Sequence, residues 1–205
     1  MAQWPDAAER PGPGRPSTGA RERVLDAGLE VLKADGYAGL TTAKVAARSG
    51  QNKALIAYHF GSKQGLVAAV GHELAESITA EVIGGLGETE TVEDVVRGVL
   101  DGLWRVMDRD ERLARLYFDL AAVSVVEPDV RAVMRAMKAS WREVLGGLLT
   151  GGSDGPGRSS AEAAAVYVMA GLEGLALERL DRGETPALAR ARDLFVRAAS
   201  AELSG

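Results

Sequence analysis

The side chains able to do chemistry in this 205-residue chain are few, and most lie in one window. From Gly36 to His72 there is no Asp or Glu, while Lys44, Arg48, Lys53 and Lys63 recur through it. An acid-free run with spaced cations is the footprint of a surface that meets phosphate. It also suits a solvated helical face that happens to lack acids. The window stands out because the whole chain carries a formal net charge of −5. Residues 1–66 nevertheless hold nine Lys and Arg against six Asp and Glu. The other chemistries lack their parts. With no cysteine there is no disulfide framework, thiol nucleophile or cysteine-bound metal. The two histidines, His59 and His72, have no second His, Cys or Asp–Ser grouping beside them, and no glycine loop is built to cradle a phosphate. We therefore expect no enzymatic activity, no cofactor and no metal site.

Hydrophobic residues make up 46% and charged residues 26% of the chain, an ordinary globular balance for one long domain or two short ones. There is no basic-then-apolar leader pattern and no apolar run of membrane-spanning length, so a cytoplasmic protein without a membrane partner is expected. Residues 1–19 are rich in Pro and Gly and read as a flexible arm. Val24, Leu25, Leu29 and Leu32 then recur at helical spacing to about Asp35, and Gly36 stops that helix. Thr41 or Thr42 caps a short helix to Ser49. Ser49-Gly50-Gln51-Asn52 has turn chemistry, and Asn52 caps a two-turn helix to Phe60. Ser62 caps a longer helix to about Ile83. Residues 20–60 thus read as three helices with helix-turn-helix organisation. Five more helical stretches follow, near 92–107, 111–126, 128–149, 160–182 and 186–203, with a Gly-rich linker over Gly151–Gly157. Pro128 and Pro186 suit first helical turns. No strand-like alternation appears, so the fold class is all-α with nine helices.

The stretch TTAKVAARSGQNKALIAYHFGSK, Thr41 to Lys63, resembles the DNA-binding domain of the TetR family of transcriptional regulators. The matching positions are Thr41, Thr42, Val45, Ala46, Gly50, Tyr58, His59, Phe60, Ser62 and Lys63, with Gly14-Arg15-Pro16 ahead of the first helix. The resemblance implies a nine-helix, two-domain chain. A helix-turn-helix domain over 20–66 would bind double-stranded DNA, and a helical domain over 67–205 would bind a small molecule and form a homodimer. Lys53, Ala54, Leu55 and Ala57 would then face base edges in the major groove. Thr42, Tyr58, His59 and Lys63 would contact the phosphate backbone, aided by helix N-termini near Thr41 and Ser62. Val45, Ile56 and Phe60 fit the three-helix core. Three positions depart from the family pattern. Gln51 replaces a small apolar residue, Asn52 replaces Ser or Thr, and Ala57 stands where an aromatic phosphate contact is common. Fewer phosphate contacts from that helix are expected. Arg10 and Arg15 could enter the minor groove, although solubilising the arm is the simpler role. His72 is expected to be exposed or at the domain junction.

For the effector the resemblance implies a pocket. Leu103, Trp104, Met107, Tyr117, Met134, Met137, Trp141, Tyr167 and Met169 are its candidates, since Met suits irregular apolar pockets and aromatic rings orient ligands. For any single one, packing in a bundle core is the simpler reading. Asp119 and Glu173 are candidate polar anchors, or members of a solvated face. The helix over Ala170–Leu180 looks like the family's penultimate helix. Leu172, Leu175 and Leu180, with Leu188, Leu194 and Phe195 from the last helix, would form the dimer interface across a two-fold axis. Gly171 and Gly174 would let helices approach there. Burial inside one chain competes for those leucines. Function then reads as a repressor released from a palindromic operator by a small molecule. The alternative is a DNA-binding module governed by a protein partner, with no small-molecule pocket.

Overall fold

The computed structural model describes residues 18–151, 155, 157 and 160–204. The expected arm over 1–19 lies outside them, with Arg10 and Arg15, except that Thr18 and Gly19 already belong to the first helix. Most of the linker expected at Gly151–Gly157 also lies outside, and Gly151 closes a helix. Among the described residues there are nine helices and no strand: α1 (Thr18–Gly39), α2 (Thr42–Ser49), α3 (Lys53–Phe60), α4 (Lys63–Gly84), α5 (Val92–Arg109), α6 (Glu111–Ser124), α7 (Pro128–Gly151), α8 (Ala161–Arg182) and α9 (Pro186–Leu203).

Local chemistry sets the boundaries. Thr41 Oγ1 accepts from the Lys44 N–H, Asn52 Oδ1 from Leu55 and Ser62 Oγ from Gly65, so the starts of α2, α3 and α4 are each capped by the side chain before them. Thr91 and Asp94 cap α5 reciprocally in a capping box. Gly50 ends α2 in the left-handed region at φ 66°, where a residue with a Cβ is strained. That single residue turns the chain from α2 into α3.

Packing divides the helices differently from the 66/67 boundary read in the sequence. One core joins Val24 and Leu32 of α1, Val45 of α2, Ile56 of α3 and Leu66, Val70 and Leu74 of α4 to Leu116 and Leu120 of α6 and Val130, Met134 and Met137 of α7. A second joins Val95, Val96 and Leu100 of α5 to Leu145 and Leu149 of α7, Val168 and Leu172 of α8 and Val196 of α9. α4 runs unbroken through residue 66, and both Leu66 and Val67 are buried in the first core. Helices α6 and α7 therefore complete the core of α1–α4. No helix among the described residues is long and apolar enough to cross a membrane.

Candidate functional site

The first candidate surface is α3 and its flanks. Ile56 is buried and Phe60 packs against the core, which turns Lys53, Ala54, Ala57 and Tyr58 outward, with Tyr58 72% exposed. Leu55 is half-buried beside them. Asn52 spends its side-chain oxygen on the Leu55 N–H, at 2.7 Å. Thr42 is half-buried in the first turn of α2. His59 sits between Tyr58 and Phe60, with ring centroids at 5.3 and 6.0 Å. Its Nε2 is enclosed without a partner among the described residues, which withholds that atom from a phosphate. His72 is exposed and meets Glu76 at 3.3 Å.

The acid-free window is less free than its sequence implies. Acids from α1, just outside the window, fold back onto it. Lys44 Nζ lies 2.9 Å from Asp35 and Arg48 3.5 Å from Glu30. Lys63 Nζ donates to the Tyr37 carbonyl at 2.9 Å and stands 4.3 Å over the Tyr37 ring. Of the four cations, Lys53 alone makes no ion pair or ring contact among the described residues, and it heads the exposed face of α3.

The second candidate is an apolar cavity of about 140 Å³ between the two cores. Ile78 and Val82 of α4, Leu103 of α5, Tyr117 and Phe118 of α6, Trp141 of α7 and Met169 and Glu173 of α8 contribute to its wall. Glu173 is the one carboxylate there among the described residues, and it is engaged. Tyr117 donates to its Oε1 at 2.6 Å, and Lys138 Nζ lies 2.9 Å from the same oxygen. Burial, with Glu173 alongside, pushes the Tyr117 hydroxyl well above its ordinary pKa.

Of the nine expected pocket residues, the structure brings Leu103, Tyr117, Trp141 and Met169 to the cavity and places the other five elsewhere. Helix geometry explains each displacement. On α5 the cavity face is Val99, Leu103 and Val106, so Trp104 and Met107 point away from it. Trp104 instead donates to Glu184 at 2.9 Å, with the Arg192 guanidinium 4.4 Å over its ring. Met134 and Met137 share the α7 stripe of Trp141 but lie two turns and one turn earlier, where the first core closes. Tyr167 is two residues from Met169, hence on the far side of α8, and is 42% exposed. Asp119 does not belong to the cavity wall. Its Oδ2 accepts the Tyr37 N–H at 2.9 Å and ties α6 to the end of α1. Sequence reasoning missed Ile78, Thr79, Val82 and Ile83 of α4. Their spacing beyond Leu74 was the available signal.

α6 is also held at its start. Asp110 meets Lys33 of α1 at 2.8 Å and Arg112 at 2.8 Å. Hydrogen bonding to Arg112 first, and to Lys33 next, holds the Asp110 carboxyl well below the usual range. One face of α6 therefore walls the cavity while its cap, Asp110, and its mid-helix Asp119 are both bonded to α1.

Comparison with known proteins accords with this arrangement. The family model described as bacterial regulatory proteins, tetR family, matches residues 24–70, covering α2, α3 and most of α1. The model described as the C-terminal domain of the BetI-type transcriptional repressor matches residues 92–204. The chain belongs to the TetR family. It is a transcriptional regulator with a helix-turn-helix DNA-binding domain and a BetI-type C-terminal region. The regulator BetI 1 of Chromohalobacter salexigens is 24% identical over 124 residues, 56% of this chain and 57% of that protein. The match thus spans little more than half the length of that relative. Among solved structures, a TetR-family regulator from Rhodococcus sp. superposes with a TM-score of 0.76 at 23% identity, covering 92% of this chain and 100% of the other. The multidrug binding protein EbrR, complexed with imidazole, gives 0.69 at 24% identity, covering 88% and 90%. At these identities the likeness is one of fold.

Proposed function

We propose that the chain is a homodimeric repressor that leaves a palindromic operator when a small molecule occupies the cavity, and that it acts in the cytoplasm. The carrying observation is the double duty of α6. Tyr117 and Phe118 of α6 wall the cavity, while Asp119 and Asp110 of the same helix and its cap bind α1 through Tyr37 and Lys33. A ligand that prefers a shifted α6 would bias the DNA-binding helices by its differential affinity for the two arrangements. The BetI-type repressor description of the matching region supports repression. The cavity favours this reading over control by a protein partner alone.

In this reading residues 20–66 are the DNA-binding unit and residues 67–205 the effector and dimerisation unit. Lys53 is the base-reading side chain, with Ala54, Leu55 and Ala57 offering apolar contact to thymine methyls. Thr42, Tyr58 and Lys63 serve the backbone, His59 has only its other ring nitrogen, Nδ1, left for that role, and Asn52 acts by capping α3. Lys63 would exchange the Tyr37 carbonyl for a phosphate. The dimer interface is the outer face of α8 and α9. On α8, Ala163, Val166, Ala170, Gly174 and Leu177 form an uncharged stripe at helical spacing. Leu194 of α9 is 59% exposed, and the ring of its neighbour Phe195 meets Tyr167 of α8 at 6.3 Å. A Cβ on Gly174 would meet nothing within 4 Å, leaving room for a partner helix. Leu172 and Leu188 are buried within one chain, and Gly171 is covered by Phe195 of the same chain, so these are assigned to intrachain packing. Leu175, Leu180 and Phe195 are half-buried at the margin.

The test is binding of the purified protein to DNA flanking its own gene across a salt series, beside Lys53→Ala and Lys63→Ala. Sequence-selective binding that weakens steeply with salt is expected. Lys53→Ala should relax selectivity, whereas Lys63→Ala should weaken all DNA alike. Equal affinity for every duplex, including selected random sequences, would refute the reading.

A further inference from the structure

Four polar side chains line the cavity, and their commitments are one-sided. The three that carry a proton have already placed it. Tyr117 donates to Glu173 Oε1 at 2.6 Å and Thr79 Oγ1 to the Ala75 carbonyl at 2.7 Å. Trp141 Nε1 points to the same carbonyl, at 3.5 Å. What remains for a ligand is acceptor capacity, chiefly the lone pairs of the Glu173 carboxylate, which can take up to about four hydrogen bonds. A ketone, ether or ester would find among the described wall residues only the Trp141 N–H, itself turned toward the Ala75 carbonyl. A hydroxyl or an N–H would find Glu173.

Charge narrows the choice further. Lys138 Nζ lies 2.9 and 3.1 Å from the two Glu173 oxygens, so the carboxylate is already neutralised. A cationic ligand would meet Lys138 as well as Glu173 and would lose its hydration in an apolar wall. An anion would meet the carboxylate directly. Size completes the argument. An apolar cavity of roughly 150 Å³ accommodates benzene, and this one measures about 140 Å³.

Resting on the reading of the cavity as the effector site, we propose that the effector is a compact, uncharged molecule of about one ring whose hydroxyl or N–H donates to Glu173. The apolar body packs among Leu103, Phe118, Trp141 and Met169. The donor selects the orientation.

The test uses the full-length protein and four congeners on one tolyl frame: p-cresol, 4-methylanisole, 4-methylbenzoate and 4-methylbenzylammonium. Calorimetric titration at pH 7 should give p-cresol about tenfold tighter than 4-methylanisole, the advantage of one hydrogen bond to a charged acceptor. Both ions should bind at least about tenfold more weakly than p-cresol, as expected for a charge buried without a new partner. Ala176→Phe, which fills the cavity from α8, should abolish binding of every congener while circular dichroism shows the helical fold retained. Glu173→Gln should shrink the p-cresol preference several-fold. Equal affinity for p-cresol and 4-methylanisole would overturn the donor assignment, and tightest binding by either ion would overturn the neutral class. Both results would leave the effector reading standing. Absence of binding by all four congeners overturns the proposal. Binding of p-cresol as expected, with no loss of DNA affinity at saturation, would uphold the ligand class and refute the effector reading instead.

Discussion

Two leucines on the outer face test the proposed dimer most directly. Leu177 and Leu194 are 52% and 59% exposed within one chain, so each keeps about half its side chain for a partner. Fully burying a leucine is worth about 1.5–3 kcal/mol, so half of one is worth about 1 kcal/mol. A two-fold axis counts every residue twice. The double variant Leu177→Glu/Leu194→Glu therefore forfeits about 4 kcal/mol of association, or roughly a thousandfold in dimer affinity. Four carboxylates set against an apolar face add a desolvation penalty, which makes that figure a floor. Sedimentation equilibrium over a concentration series would show wild-type dimer and variant monomer, with the same helicity and a melting transition that depends on concentration only in the wild type. The matched control is Leu172→Glu/Leu188→Glu. These leucines are 8% and 3% exposed within the chain, so that variant should unfold rather than dissociate. A folded, dimeric Leu177→Glu/Leu194→Glu protein would refute the assignment of this face. A folded monomer from the control pair would restore the leucines that the sequence alone suggested.

Asp119→Ala strips the Tyr37 N–H of its acceptor and should lower stability by about 1–3 kcal/mol, read by urea denaturation. It should also blunt the DNA release caused by a bound ligand, read by fluorescence anisotropy, because α6 then moves without pulling α1. Asp110→Asn should cost about 1 kcal/mol at pH 7, since Asp110 is held down by Arg112 and Lys33. A carboxyl whose folded pKa is depressed stabilises the fold above its unfolded value, near 3.9, and loses that contribution as pH falls through the folded value. The gap between wild type and Asp110→Asn should therefore close below about pH 4, as measured by denaturation at several pH values. Gly50→Val places a β-branched residue at φ 66° and should destabilise the helix-turn-helix by more than about 1 kcal/mol, visible as a lower melting temperature.

Helix ends were legible in the sequence because they are local. Thr41, Asn52 and Ser62 cap the helices they precede, and Pro186 begins α9 where its fixed φ suits a first turn. The orientation of each helix was harder to read. α8 carries apolar residues nearly all round, so Met169 and Tyr167 look alike in sequence although one faces the cavity and the other solvent. α7 presents one stripe that serves two cores in succession, and periodicity gives no depth along the axis. Met134 and Trp141 therefore could not be separated. Least legible were the polar contacts between distant segments. Asp35 and Glu30 precede the acid-free window by only a few residues, yet only the fold shows that they cover Lys44 and Arg48. Tyr37 and Asp119 are 82 positions apart.

The shared core of α1–α4, α6 and α7 bears on how such regulators can be recombined. A transplant of this chain cut at residue 66 would leave its Val70 and Leu74 behind, and would separate Leu32 and Leu66 from Leu116, Leu120 and Met134. On the proposed function, a chimera meant to keep the DNA preference of α3 must carry α6 and the first turns of α7 along with α1–α4. The exchangeable portion is then the half built on α5, α8 and α9. Domain shuffling in this architecture is constrained by a packing seam that crosses the chain several times, rather than by a point along it.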